Sequence, residues 1–228
     1  MSKIKGIIFD LDDTLYNEID YVKSGYRKVA TYLESFVDKT IDEIFNLLMN
    51  RFNEDRNNVF NYVLENIGID EHKVLMECLE VYRNQEPDIE IESETRGLLL
   101  ELKKEYKLGI ITDGRPEGQW AKIRALGLEE VMDAIIVTDE LGGIEYRKPH
   151  ELPYLTIATR LQLPLHNLVY IGDNEKKDFV AARRLGMYTM QINNGDGLYK
   201  SEQMDQEYKA HKQIESVKYI VEELRNII

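Results

Sequence analysis

Apolar positions along the chain follow two different rhythms. Short apolar segments rich in Ile and Val occupy residues 4–9, 107–112, 133–138, 167–171 and 187–192. Runs of that length, bounded by polar segments, predict strands buried on both faces. Between the later runs, apolar residues recur every three or four positions, the spacing of one helix face. Trp120, Ile123 and Leu126 predict an amphipathic helix over 117–126, with Trp120 inward and Gly127 as its stop. Ile214, Val217, Val221, Leu224 and Ile228 predict a final helix packed on the sheet. Strands alternating with helices make an α/β fold, a doubly wound parallel sheet with right-handed crossovers, the natural architecture.

Residues 17–90 interrupt this alternation with helical rhythm alone. Tyr26, Val29, Leu33 and Phe36 form one stripe; Ile41, Ile44, Phe45 and Leu48 a second; Val59, Val63 and Ile67 a third; Val74, Cys78 and Tyr82 a fourth. Four amphipathic helices can bury these stripes against one another as a small bundle. Pro87 turns Glu86 away from helical geometry and marks a break. The organisation read from these patterns is a core made of residues 1–16 and 91–228, with a helical domain, 17–90, inserted after the first strand.

Composition narrows the partners. The formal net charge is −13, and residues 17–90 carry eight Lys and Arg against sixteen Asp and Glu. A binder of nucleic acid polymers or of an anionic membrane surface needs clustered positive charge instead. Cys78 is the only cysteine, so no intrachain disulfide can form. With no secretory pattern and no run of about 18 apolar residues, the expectation is a cytoplasmic protein without a membrane partner. The four histidines have no zinc spacing.

The candidate chemistry lies at strand ends. Ile7-Ile8-Phe9 runs into Asp10-Leu11-Asp12-Asp13-Thr14, three carboxylates within four positions. Ligand sites of open α/β sheets lie outside the carboxyl ends of the strands, where Asp10 and Asp12 fall. Two close carboxylates repel, and a hard divalent cation such as Mg2+ is the simplest way to hold their charge. Three further segments follow in chain order: Ile110-Ile111-Thr112-Asp113-Gly114, Arg147-Lys148-Pro149, and Val169-Tyr170-Ile171-Gly172-Asp173 continuing to Asp178.

With these four motifs the chain resembles the haloacid dehalogenase superfamily, and within it the Asp-nucleophile phosphatases with an inserted helical cap, for which residues 17–90 would stand. The resemblance implies Asp10 as the nucleophile that forms an aspartyl-phosphate and Asp12 as general acid and base, its backbone carbonyl also touching the metal. It implies Lys148 as the cation bridging nucleophile and phosphoryl group. Thr112 and the backbone N–H groups of Asp113 and Gly114 would cradle the phosphate together with Lys148. Mg2+ would be held by Asp10, Asp12 and Asp173, with Asp178 in support. Lys177 departs from the pattern, which often has Asn before the second acid, and Asp113 stands where many relatives have Asn.

The activity so implied is Mg2+-dependent hydrolysis of a small phosphorylated metabolite, a sugar phosphate or nucleoside monophosphate. A phosphosugar mutase, a 2-haloacid dehalogenase and a non-catalytic regulatory module on the same fold are the alternatives. Asp12 weighs against the dehalogenase, whose chemistry has no acid at that position, and the full set of functional groups weighs against the regulatory module.

Overall fold

The computed structural model describes residues 3–193 and 205–227. Its chain forms two compact units, one of Ile19–Ile89 and one of the residues up to Glu18 with those from Glu90 onward.

The second of these is built on six parallel strands: β1 (Gly6–Phe9), β2 (Lys107–Thr112), β3 (Ala134–Val137), β4 (Leu168–Gly172), β5 (Tyr188–Ile192) and β6 (Lys212–Ile214). Their order is β3-β2-β1-β4-β5-β6, so β1 pairs with β2 on one side and β4 on the other. The chain builds outward from β1 first in one direction and then in the other, which creates the switch point where α/β sheets bind ligands. All four residues of β1 are buried. On one sheet face Ile8, Ile111, Ile136 and Tyr170 pack with Tyr154, Ile157 and Leu161 of helix α7 (Leu152–Leu161). This is why the strands read as continuous apolar runs rather than alternating ones.

Helices α5 (Ser93–Leu102) and α6 (Pro116–Ala125) lead into and out of β2, and the five-residue α8 (Val180–Arg184) links β4 to β5. Pro116 begins α6, where its missing N–H costs nothing, and Gly127 follows its end at φ +61°. The inward face of α6 differs from the expected one. Gln119, Lys122 and Ile123 are buried, whereas Trp120 is half-buried and donates from Nε1 to Glu140 Oε1 at 2.8 Å. The stripe is 119, 122, 123 and 126, one helical position behind the phase that Trp120 suggests.

The chain's last segment also differs from expectation. Ile214 closes strand β6, a short 3-10 turn spans Val217–Tyr219, and helix α9 runs only over Ile220–Asn226. Ile228 lies outside the described residues. Within the described part, Ile214, Val217, Ile220 and Leu224 are buried.

The helical unit contains α1 (Glu18–Leu33, its first residue belonging to the core unit), α2 (Ile41–Glu54), α3 (Val59–Asn66) and α4 (His72–Arg83). Thr40 and Glu43 form a reciprocal capping box at the start of α2, worth about 1 kcal/mol. The ring of Tyr26 meets those of Phe52, Phe60 and Tyr82 at 5.7–5.9 Å between centroids. Tyr21 packs edge-on against Tyr82. The first stripe stops at Leu33, because Phe36 lies in a 3-10 turn with 46% of its surface exposed.

Candidate active site

The site forms where β1, β2 and β4 end. The Asp10 N–H donates to the Ile171 carbonyl at 2.8 Å, prolonging the β1–β4 ladder by one residue and fixing the backbone from which Asp10 projects. Its carboxylate is buried. Oδ1 accepts from the Leu11 N–H and lies 2.8 Å from Lys148 Nζ, while Oδ2 lies 3.3 Å from Lys177 Nζ. Burial pushes the Asp10 carboxyl up, but the Lys148 and Lys177 ammonium groups outweigh it and hold the carboxyl below its ordinary value.

Lys148 reaches the site from the loop before α7. Burial favours its neutral form, and the charges of Asp10 and Asp178 reverse that preference and raise its pKa. Its Nζ makes a second 2.8 Å ion pair with Asp178 Oδ1 and donates to Tyr170 OH at 2.9 Å. Its backbone N–H donates to Asp113 Oδ1, which also accepts from Thr138 Oγ1. Asp113 thus anchors the Lys148 loop, a use for an acid that the sequence leaves open. The adjacent Arg147 is committed elsewhere, to a bidentate pair with Asp139 at 2.7 and 2.8 Å.

Asp173 follows β4 directly. Asp178 curls back beneath it, Oδ2 accepting from the Asn174 N–H at 2.9 Å. A Cβ on Gly172 would sit 2.5 Å from that same oxygen, so only glycine admits the turn. Carboxylate oxygens of Asp10, Asp173 and Asp178 all lie within 4.8 Å of one another. Burial first, then the charges of Asp178 and Asp10, push the Asp173 carboxyl up to about 8. Three clustered oxygen donors, one of them destabilised as an anion by the other two, suit a hard divalent cation. Asp178 is engaged by Lys148, Tyr170 and the Asn174 N–H, and Asp10 by Lys148, Lys177 and the Leu11 N–H, so an ion at this cluster would share Asp10 with the two ammonium groups and meet Asp173 beside it.

The Asp12 carboxylate turns away from this cluster, toward α6. Oδ1 accepts from Lys122 Nζ at 2.7 Å and from Tyr16 OH, and Oδ2 accepts from Gln119 Nε2 at 3.0 Å. Burial is the largest influence and raises its pKa, but the Lys122 charge together with the hydrogen bonds from Lys122 and Tyr16 outweighs it and holds the carboxyl below its ordinary value. Thr112 is fully buried and accepts from Gln119 Nε2, and Gly114 follows at φ +145°. Asp13, in the left-handed region at φ 53°, accepts the Glu18 N–H at 2.8 Å and so caps α1. A cavity of about 320 Å³ is lined by Asp12, Asp113, Lys148, Asp173 and Lys177 among others.

The structure therefore gathers Asp10, Lys148, Asp173 and Asp178 at one point, with Asp12, Thr112 and Gly114 beside α6. Gln119, Lys122 and Tyr16 are the side chains that bond to Asp12, and the sequence points neither Gln119 nor Lys122 to this site. The available signal was two polar residues, Gln119 and Lys122, in phase with Ile123 and Leu126.

Comparison with known proteins shows the family of the chain. Residues 7–192 match the model of the haloacid dehalogenase-like hydrolases. A glyceraldehyde 3-phosphate phosphatase of Methanocaldococcus jannaschii is 32% identical over 98% of both chains. One from Methanopyrus kandleri is 28% identical over 84% of this chain and 85% of its own. The chain belongs to the haloacid dehalogenase-like hydrolases and, within them, to the phosphatases. A 2-haloacid dehalogenase from Pseudomonas syringae shares the fold, with a TM-score of 0.67 at 23% identity over 99% of this chain and all of its own.

Proposed function

We propose that the protein is a Mg2+-dependent phosphatase of small sugar phosphates, triose phosphates foremost, which carries the phosphoryl group on Asp10. The observation that carries this reading is the buried Lys148 ammonium, 2.8 Å from both Asp10 and Asp178. It keeps Asp10 ionised as a nucleophile and places positive charge where phosphoryl oxygens gather. The named activity of the relatives supports the triose phosphate, and a 320 Å³ cavity suits a ligand of that size.

An Asp10 oxygen attacks phosphorus and the bond to the ester oxygen breaks, while Asp12, whose carboxylate takes up a proton as the negative charge of the phosphate arrives beside it, passes that proton to the departing alkoxide. Asp12 then takes a proton from the water that attacks the aspartyl-phosphate, releasing inorganic phosphate and restoring Asp10. Thr112 Oγ1, the Gly114 N–H and Lys148 Nζ bind the phosphoryl oxygens. Asp10, Asp173 and the Asp12 carbonyl would hold Mg2+, with Asp178 supporting Lys148. When bound, the ion supplies charge neutralisation at the phosphoryl group. Residues 17–90 would act as the cap that selects the leaving group.

Phosphate release from glyceraldehyde 3-phosphate, other sugar phosphates and nucleoside monophosphates, measured with Mg2+ and with a chelator, tests the reading. Glyceraldehyde 3-phosphate should lead the panel, the chelator should stop release, and Asp10→Asn should be inactive with the fold intact. A nucleotide at the head of the panel would overturn the substrate class, and a working Asp10→Asn enzyme would overturn the chemistry.

A further inference from the structure

Helix α6 buries two polar side chains where a helix on a sheet ordinarily carries apolar ones, Gln119 and Lys122, each 4% exposed. A buried ammonium or amide is unfavourable unless it is fully paired. Both pair with one residue. Lys122 Nζ takes Asp12 Oδ1, and Gln119 Nε2 takes Asp12 Oδ2. The same Gln119 nitrogen donates to Thr112 Oγ1. That hydroxyl, accepting from Gln119, keeps its own proton for another acceptor. Glycine at 114 belongs to the same arrangement, because a Cβ there would lie 3.1 Å from Gln119 Cγ and Cδ.

We infer that Gln119 and Lys122 are positioning residues for the phosphatase reaction. They hold the Asp12 carboxyl in one orientation for proton transfer to the leaving group, and Gln119 ties that orientation to the phosphate-binding hydroxyl of Thr112. An Asp side chain alone samples several rotamers. Donors on both of its oxygens leave one, and catalytic proton transfer depends on such alignment. One amide nitrogen shared by Asp12 and Thr112 means that neither can shift without the other. Tyr16 adds a third donor to Asp12, and the acids Asp10 and Glu18 also act on it.

This inference rests on the roles proposed for Asp12 and Thr112, and leaving-group dependence separates its failure from theirs. Lys122→Met and Gln119→Met should lower kcat for glyceraldehyde 3-phosphate by about 100-fold, the lower range of general acid catalysis. KM should hold within about threefold, as for a group acting only in the transition state. Single-turnover phosphorylation of Asp10 by p-nitrophenyl phosphate, whose leaving group needs no proton, should also change by less than about threefold. Asp12→Asn is the control. If it shows no such discrimination between the two esters, the Asp12 role fails and this inference falls with it. If Asp12→Asn discriminates while both α6 variants slow the two esters in parallel, or slow neither, the positioning role alone is overturned. Should Lys122→Met not fold, Gln119→Met, which removes no charge, decides the question by the same comparison.

Discussion

Asp10, Asp12 and Glu18 meet three different fields within nine residues of chain. Lys148 answers the charge of Asp10 and Lys122 that of Asp12, so both carboxyls are held below their ordinary values. Glu18 is answered only in part: burial first, then the charge of Asp12, outweighs the opposing pull of Lys122 and Lys177 and pushes it up to about 7 from an ordinary 4.5. In the unfolded chain Glu18 ionises near 4.5, so its cost to the fold is absent below that pH. The cost grows as pH rises from 4.5 to about 7 and stays constant above. Glu18→Gln should therefore match the parent's melting temperature near pH 4 and exceed it near pH 8. A constant difference across that range would show that the Glu18 carboxyl does not carry the shift. At this scale the sequence made the acids and Lys148 legible, because each sits at a strand end or beside a proline. It did not make their partners legible. Nothing local to Asp12 points to residues 119 and 122, which reach it only after the crossover helix has packed.

A helix face is read from its apolar residues, and α6 shows where that reading slips. Trp120 is the largest side chain on the helix, but the buried positions are Gln119, Lys122 and Ile123. Trp120→Ala should cost about 1 kcal/mol or less, as a half-exposed site does. Ile123→Ala should cost about 2–5 kcal/mol, the range for a fully buried aliphatic side chain. Urea unfolding of both variants checks the order, and a larger loss at Trp120 would restore it to the core. The first five strands were legible because each of them is buried and rich in apolar residues. Strand β6 was not, since Lys212-Gln213-Ile214 has two exposed residues and pairs only with β5. Polar, Lys-bearing edge strands are common because they resist pairing with other chains. The apolar Ile214 was consequently read into the helix that begins six residues later, at Ile220.

At the scale of the whole molecule, a cation that the acidic cluster of Asp10, Asp173 and Asp178 binds only in the folded chain must stabilise that chain by mass action. At Mg2+ one hundred times its Kd the gain is about 2.7 kcal/mol, or roughly 5–10 °C in a chain of this length. Thermal melting with Mg2+ and with a chelator should show that difference, and Asp173→Ala should remove most of it. An unchanged melting temperature in the parent would argue against a cation at this cluster.

The position of β1 sets a schedule for synthesis. Its two hydrogen-bonding neighbours begin at Lys107 and Leu168, so the first strand made is among the last to be enclosed. Residues 19–89 form a compact unit of their own, and domains released early from a ribosome fold as units. The helical unit should then be finished while Phe9 and Asp10 are still in water. A nascent chain stalled near residue 130 should yield a protease-resistant helical fragment while residues 4–15 remain cleavable, and equal protection of both would contradict this order. A half-made copy of this enzyme would then hold a completed helical unit and a carboxylate, Asp10, whose ammonium partner, Lys148, is still untranslated.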